Sequence, residues 1–133
     1  MVMSFEQRTV GDALVLTPRK NLVGGEETLA LLKAIDATAE VRPARVVMDL
    51  GEINFVSSLG VGLMRKASIS CERSGGWLRL ARTNKVVEST LNVTGLIIYF
   101  EMFDTVDLAV SAPAVVRPEL HKRADRTPGR PGA

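Results

Sequence analysis

Two adjacent hydroxyls, Ser57 and Ser58, stand between an apolar run at residues 46–50 and a segment in which Val61, Met64 and Ala67 recur at three-residue steps. The run (Val46, Val47, Met48, Leu50) is long enough for a buried strand and too short for a stable helix. The three-residue recurrence predicts a helix opening at Ser58. Hydroxyls at a helix N-terminus lie beside backbone N–H groups without partners, at the positive end of the helix dipole. Two kinds of chemistry fit that place. A serine there caps the helix, contributing about 1 kcal/mol. It can also accept a phosphoryl group, because the dipole holds the phosphate while its charge of roughly −1.5 to −2 changes any surface docked there. Nucleophilic catalysis fits poorly, since no histidine or other base neighbours the serines in sequence.

The other chemistry-bearing residues are few. Gly60 and Gly62 do not make a dinucleotide fingerprint, since the third glycine is replaced by Arg65. They are expected to let the helix start approach the sheet or a partner closely. Asp49, at the end of the predicted strand, is expected to hydrogen-bond the neighbouring loop. In that loop Ile53 and Phe55 are the expected anchors. Cys71, on the same predicted helix as Met64, belongs to a core rather than to redox chemistry. His121 is the only histidine and lies near the C-terminus, which leaves the body of the chain without His-dependent metal or acid–base chemistry.

The elements that position the serines alternate in type. Residues 4–10 and 13–17 read as two strands around a Gly11-Asp12 turn. A loop ending in Gly24-Gly25 leads to a helix over residues 26–39, with Leu29, Leu32 and Ile35 on one stripe and Glu26 and Glu27 in its first turn. A strand at 45–50 and the helix at 58–73 follow, the helix closed by Ser74-Gly75-Gly76. A strand at 77–81 comes next, then a helix capped by Thr83 or Asn84 and stopped by Gly95. Residues 96–100 read as an apolar strand, and Asp104 with Asp107 as a capping box for a last short helix to Ser111. This order, β-β-α-β-α-β-α-β-α, predicts an α/β fold with a mixed, mainly parallel sheet, an N-terminal antiparallel hairpin and about four helices.

Length and composition fit one domain over residues 1–111 followed by a tail, 112–133, that holds four of the six prolines. The tail cannot bury enough apolar surface to offset its ordering entropy and is expected to be disordered. It carries five basic residues (Arg117, Lys122, Arg123, Arg126, Arg130) against Glu119 and Asp125, so the net charge of +2 leaves a slightly acidic body. That disfavours a nucleic-acid-binding face on the folded part. No stretch reaches the ~18 apolar residues of a membrane span. The start has no signal pattern, and a single cysteine excludes an internal disulfide, so a cytoplasmic setting is expected.

The segment Phe55-Val56-Ser57-Ser58-Leu59-Gly60-Val61-Gly62, preceded by Val47-Met48-Asp49-Leu50, resembles the central motif of the anti-sigma factor antagonist family of STAS domains. That motif usually has Asp-Leu, then Phe-Ile-Asp-Ser-Ser-Gly-Leu-Gly, with the first serine phosphorylated by a partner kinase. The resemblance places Ser58 at the phosphoacceptor position, with Ser57 where the family has an acidic residue and Leu59 where it has a second serine. It covers about residues 4–111, including a softer likeness over 80–96. It also matches Leu22, Val23, Gly24 and Gly25 to a loop that contacts the kinase, with Lys20 in place of a usual glycine.

What the resemblance implies is an anti-sigma factor antagonist in a partner-switching circuit, without catalytic activity or cofactor of its own. The partners would be an anti-sigma factor that is also a serine kinase, and a phosphatase; a homodimer stays open. The docking surface would comprise residues 22–25 with Ser57, Ser58, Leu59, Gly60 and Gly62. Ser57 is the alternative phosphoacceptor, and Leu59 is either an interface residue or core. Two other classes remain: an unphosphorylated STAS scaffold or regulatory module of a signalling or transport assembly, and a small α/β ligand-binding protein or enzyme using the strand-end crevice.

Overall fold

A computed structural model describes residues 5–114, so the expected tail lies outside the described residues from position 115 onward, His121 included. Five strands form one sheet in the order β1-β2-β3-β4-β5, the order of the sequence itself. β1 (Phe5–Val10) and β2 (Ala13–Pro18) pair antiparallel around a turn in which Gly11 has φ +58°, a conformation that glycine adopts without steric penalty. β3 (Arg45–Asp49), β4 (Trp77–Ala81) and β5 (Glu101–Phe103) continue parallel to β2. α1 (Glu26–Val41), α2 (Ser58–Arg73) and α3 (Lys85–Val93) make the crossovers, and α4 (Val106–Ser111) ends the domain.

Alternation along the strands sorts the core into two clusters. Leu14, Leu16, Val46, Met48, Leu78 and Leu80 face one side, where Leu31 and Ile35 of α1, Val61, Met64, Ala67 and Cys71 of α2, and Val87 and Leu91 of α3 close over them. The helical residues recur every three or four positions, which is what puts them on one stripe. Ala13, Val15, Val47 and Ala81 face the other side and pack with Ala109 of α4. A sheet covered on both faces needs no polar alternation, and β2 is accordingly buried along its whole length.

The expected fold class and element order are those observed; four local expectations are not. In α1 the buried stripe is Thr28, Leu31 and Ile35, with Leu32 half-buried, whereas Leu29 is exposed. Residues 96–100 are not a strand: Leu96–Tyr99 is a 3-10 helix entered through Gly95 in the left-handed region (φ +75°), and β5 begins only at Glu101. A short apolar run does not by itself distinguish strand from helical turn. The cap of α4 is Thr105, whose Oγ1 accepts from the Leu108 N–H at 3.1 Å, and not Asp104. In the loop after β3, Ile53 and Val56 are the buried anchors, whereas Phe55 is 39% exposed.

Candidate functional site

The loop between β3 and α2 is fixed residue by residue. Asp49 ends β3 nearly buried, and its Oδ1 accepts from the Gly51 N–H at 3.1 Å. The same carboxylate takes both arms of Arg82, with Nε at 2.7 Å from Oδ1 and Nη2 at 3.0 Å from Oδ2. These hydrogen bonds, and the charge behind them, hold the Arg82 guanidinium above its ordinary pKa. On the opposite side, Asn21 Oδ1 accepts from the N–H groups of Asn54 (2.9 Å) and Phe55 (3.2 Å). Asn84 caps α3, accepting from the Val87 N–H at 2.8 Å, and donates through Nδ2 to Ile53 O at 3.1 Å.

Residues 21–24 run beside residues 55–58. Leu22 and Val56 form a parallel bridge, and the Ser57 N–H donates to Leu22 O at 2.9 Å. Ser57 then caps α2, its Oγ accepting from the Gly60 N–H at 3.0 Å. Ser58, the first helical residue, is exposed, and no hydrogen bond to another described residue engages its hydroxyl. The two serines thus differ in kind: one hydroxyl is used by the helix and the other is open to solvent.

The glycines separate in the same way. A Cβ on Gly60 would collide with Leu22 O and crowd Val56, so this glycine is required by packing inside the protein. A Cβ on Gly62 would meet nothing within 4 Å. Gly24 has φ +91°, and a Cβ there would run into Leu59 Cδ2 and Cγ. Leu59 therefore lies over the Gly24 backbone while remaining 60% exposed, which settles its place as surface and not core.

Of the residues expected at a docking surface, Leu22 and Gly60 are buried, Ser57 and Gly24 are half-buried, and Val23, Ser58, Leu59 and Gly62 are presented to solvent. Gly25 is half-buried as the N-cap of α1, and the Gly24 N–H donates to Thr28 Oγ1 at 3.0 Å. Lys20 bridges to Glu27 in the first turn of α1 at 3.5 Å. Sequence alone marks Asn84 as a cap of α3 but not its bond to Ile53 O, and it marks neither Phe55 as a surface residue nor the contacts of Asn21 and Arg82.

Elsewhere the titratable groups are structural. Cys71 is buried; desolvation, with Glu72 and Asp36 nearby, pushes its thiol up to about 12, far from the thiolate that redox chemistry needs. Arg65, at the place of the missing third glycine, lies 4.0 Å above the Tyr99 ring and donates to Ser68 Oγ and Glu72 Oε2. A groove of about 390 Å³ lined by Asp36, Ala39, Glu40, Ser70, Arg73 and Ser74 opens between the C-terminal ends of α1 and α2, away from the serines. Its Ser74 hydroxyl is already committed, accepting from the Ala44 N–H and donating to Cys71 O. Among the described residues there is no group of three or more His, Cys, Asp or Glu placed to hold a metal, and no helix is long and apolar enough to cross a membrane.

The family model described as the STAS domain matches residues 4–109, nearly all of the described chain. The chain belongs to the STAS domain family. A Thermotoga maritima protein provisionally named an anti-sigma factor antagonist is 24% identical over 106 residues, which are 80% of this chain and 94% of that protein. A crystal structure of a protein so named from the same organism superposes with a TM-score of 0.70 at 25% identity, over 80% of this chain and 91% of that one. The anti-sigma factor antagonist SpoIIAA in its unphosphorylated form shares the fold at 18% identity, with a TM-score of 0.68 over 80% of this chain and 92% of its own. The same STAS fold occurs within a far larger chain, the murine anion transporter Slc26a9, at 15% identity and a TM-score of 0.64, where the match takes 77% of this chain and 18% of the transporter.

Proposed function

We propose that this STAS domain is an anti-sigma factor antagonist whose docking is switched by phosphorylation of Ser58. The observation that carries this reading is an unengaged, exposed hydroxyl at the first position of α2, on a surface that also presents Val23, Phe55 and Leu59. A partner covering those apolar side chains removes them from water, which stabilises the complex. The partner is an anti-sigma factor with serine kinase activity, which transfers the γ-phosphoryl group of its ATP to Ser58 Oγ. The hydroxyl proton leaves to a base of the kinase, and ADP is released. The phosphoserine keeps its place, because unpartnered N–H groups and the dipole favour an anion there. The docked partner now faces a dianion that it would have to desolvate, and it dissociates. A phosphatase restores the hydroxyl by hydrolysis. The chain supplies no catalytic group and holds no cofactor, and it works in the cytoplasm.

Ser57 is the poorer acceptor because its oxygen is the cap of α2. Intact-mass measurement after incubation with ATP and serine kinases of the source genome tests this. One added phosphate, lost in Ser58→Ala and kept in Ser57→Ala, is expected. Loss confined to Ser57→Ala would move the site by one residue. A kinase that binds the chain tightly yet transfers nothing would favour an unphosphorylated scaffold, a reading that the bulk of Leu59 beside the acceptor supports.

A further inference from the structure

Arg82 is the only non-glycine among the described residues with a positive φ, at +56°. Such a conformation is uncommon outside glycine, asparagine and aspartate, and it persists only where the surroundings over-determine it. Here they do so on three sides. The Arg82 N–H donates to Phe103 O at 3.0 Å, which ties the backbone to β5. The guanidinium is bidentate on Asp49, a planar fit that a lysine could not reproduce. Gly51 lies directly under it, where a Cβ would strike Cζ, Nε and Nη2. The left-handed turn thus directs the side chain of the residue just after β4 back across the sheet end, onto Asp49 and Gly51 at the start of the loop that leads to Ser57 and Ser58. Two residues later Asn84 takes hold of Ile53 O in the same loop.

We infer that Arg82 is a positioning residue for docking, and that its clamp on Asp49 sets residues 51–57 in the arrangement a partner recognises. This rests on the reading of Ser58 as a switch. Apart from the bridge at Val56, that loop has no regular structure of its own. Left free, it would be ordered only on binding, at the expense of affinity. Held by Arg82, Asn84 and Asn21, it offers Phe55, Ser57 and Ser58 already in place.

The test uses the full chain with Arg82→Gly, which keeps the backbone conformation accessible and removes the guanidinium, and Asp49→Asn as the partner variant should the first fail to fold. Amide hydrogen exchange at Asn54, Phe55 and Ser57 is expected to accelerate about tenfold or more, while amides of β3 keep their wild-type rates. With the kinase that labels the wild-type chain, KM for the chain should rise about tenfold and kcat stay within about twofold, the mark of lost docking rather than lost chemistry. Arg82→Lys should fall between. Unchanged exchange in the loop, or faster exchange spread evenly over the sheet, would overturn the proposal, as would faster loop exchange with an unaltered KM. If no kinase labels the wild type, the switch reading fails by itself, and the exchange measurement still decides whether Arg82 holds the loop.

Discussion

At the scale of single residues, the two serines are separated by what their oxygens already do. Ser57→Ala removes the acceptor of the Gly60 N–H and should destabilise the domain by about 1 kcal/mol, read from the urea midpoint. Ser58→Ala deletes an exposed hydroxyl and should change stability by less than about 0.5 kcal/mol while abolishing phosphate incorporation. The two glycines of the motif make a second pair of opposites. Gly60→Ala forces a methyl against the Leu22 carbonyl and should cost about 2 kcal/mol or more. Gly62→Ala adds a methyl in open space within a helix and should stabilise by about 0.5–1 kcal/mol. If Gly62 serves close approach of a partner, the same variant will bind the anti-sigma factor more weakly despite melting higher. This contrast was not legible from two glycines two positions apart. It depends on what lies across from each, and Leu22 is 38 residues away in the chain from Gly60.

At the scale of elements, α2 was readable to the residue because both of its ends are marked locally, by Ser57 before it and by Ser74-Gly75-Gly76 after it. Residues 96–103 were not, since their apolar run suits a strand and a helical turn equally, and the pairing of β5 with β4 selects only Glu101–Phe103. Arg79 was missed for a deeper reason. An arginine between leucines on an alternating strand reads as solvent-facing, yet it is 1% exposed. Its guanidinium lies 3.9 Å from the Trp77 ring centroid and donates to the carbonyls of Ala109 (2.9 Å), Ala112 (2.7 Å) and Pro113 (3.1 Å) at the end of α4, beside Glu101. Those acceptors lie 30 or more residues downstream, so no local pattern announces them. Cations near a helix C-terminus are favoured by its dipole, and this one also binds the orphan carbonyls. Arg79→Met keeps much of the packing and leaves the carbonyls without their donor. It should destabilise by about 2–3 kcal/mol and loosen α4 first, seen as early amide exchange at Ala109 and Ala112.

At the scale of the whole molecule, the pH response is set in part by Cys71. Its folded pKa is raised to about 12, above the ordinary value of an unfolded thiol, so the folded state retains a proton that the unfolded state gives up. The stability this contributes is complete below about pH 8.5 and is lost as the pH rises toward 12, by at most about 1.4 kcal/mol per unit. Denaturant midpoints measured from pH 8 to 11 should fall accordingly, and a Cys71→Ala variant, though less stable at neutral pH, should show a flatter decline. The thiol should also resist alkylation in the native state at pH 8.

The fold class was legible at this scale because helices and strands alternate with clear punctuation. What the alternation does not disclose is how the ends of the sheet are tied, since Asp49, Arg82, Asn21 and Asn84 are ordinary polar residues until the strands are laid side by side.

Strand order that repeats chain order has a consequence for how the domain is made. Each strand is laid against one already synthesised, so a nascent chain that has cleared Ala81 holds four of the five strands with their final neighbours and no slot waiting to be filled. Sheets with inserted strands must instead keep a gap open until a later segment arrives, with unpaired edges exposed meanwhile. Here the growing edge moves in one direction only and finishes with the shortest strand, Glu101–Phe103. The carbonyls that accept from Arg79 come last of all, after its ion-pair partner Glu101, so this buried guanidinium completes its hydrogen bonds only once the rest of the sheet exists.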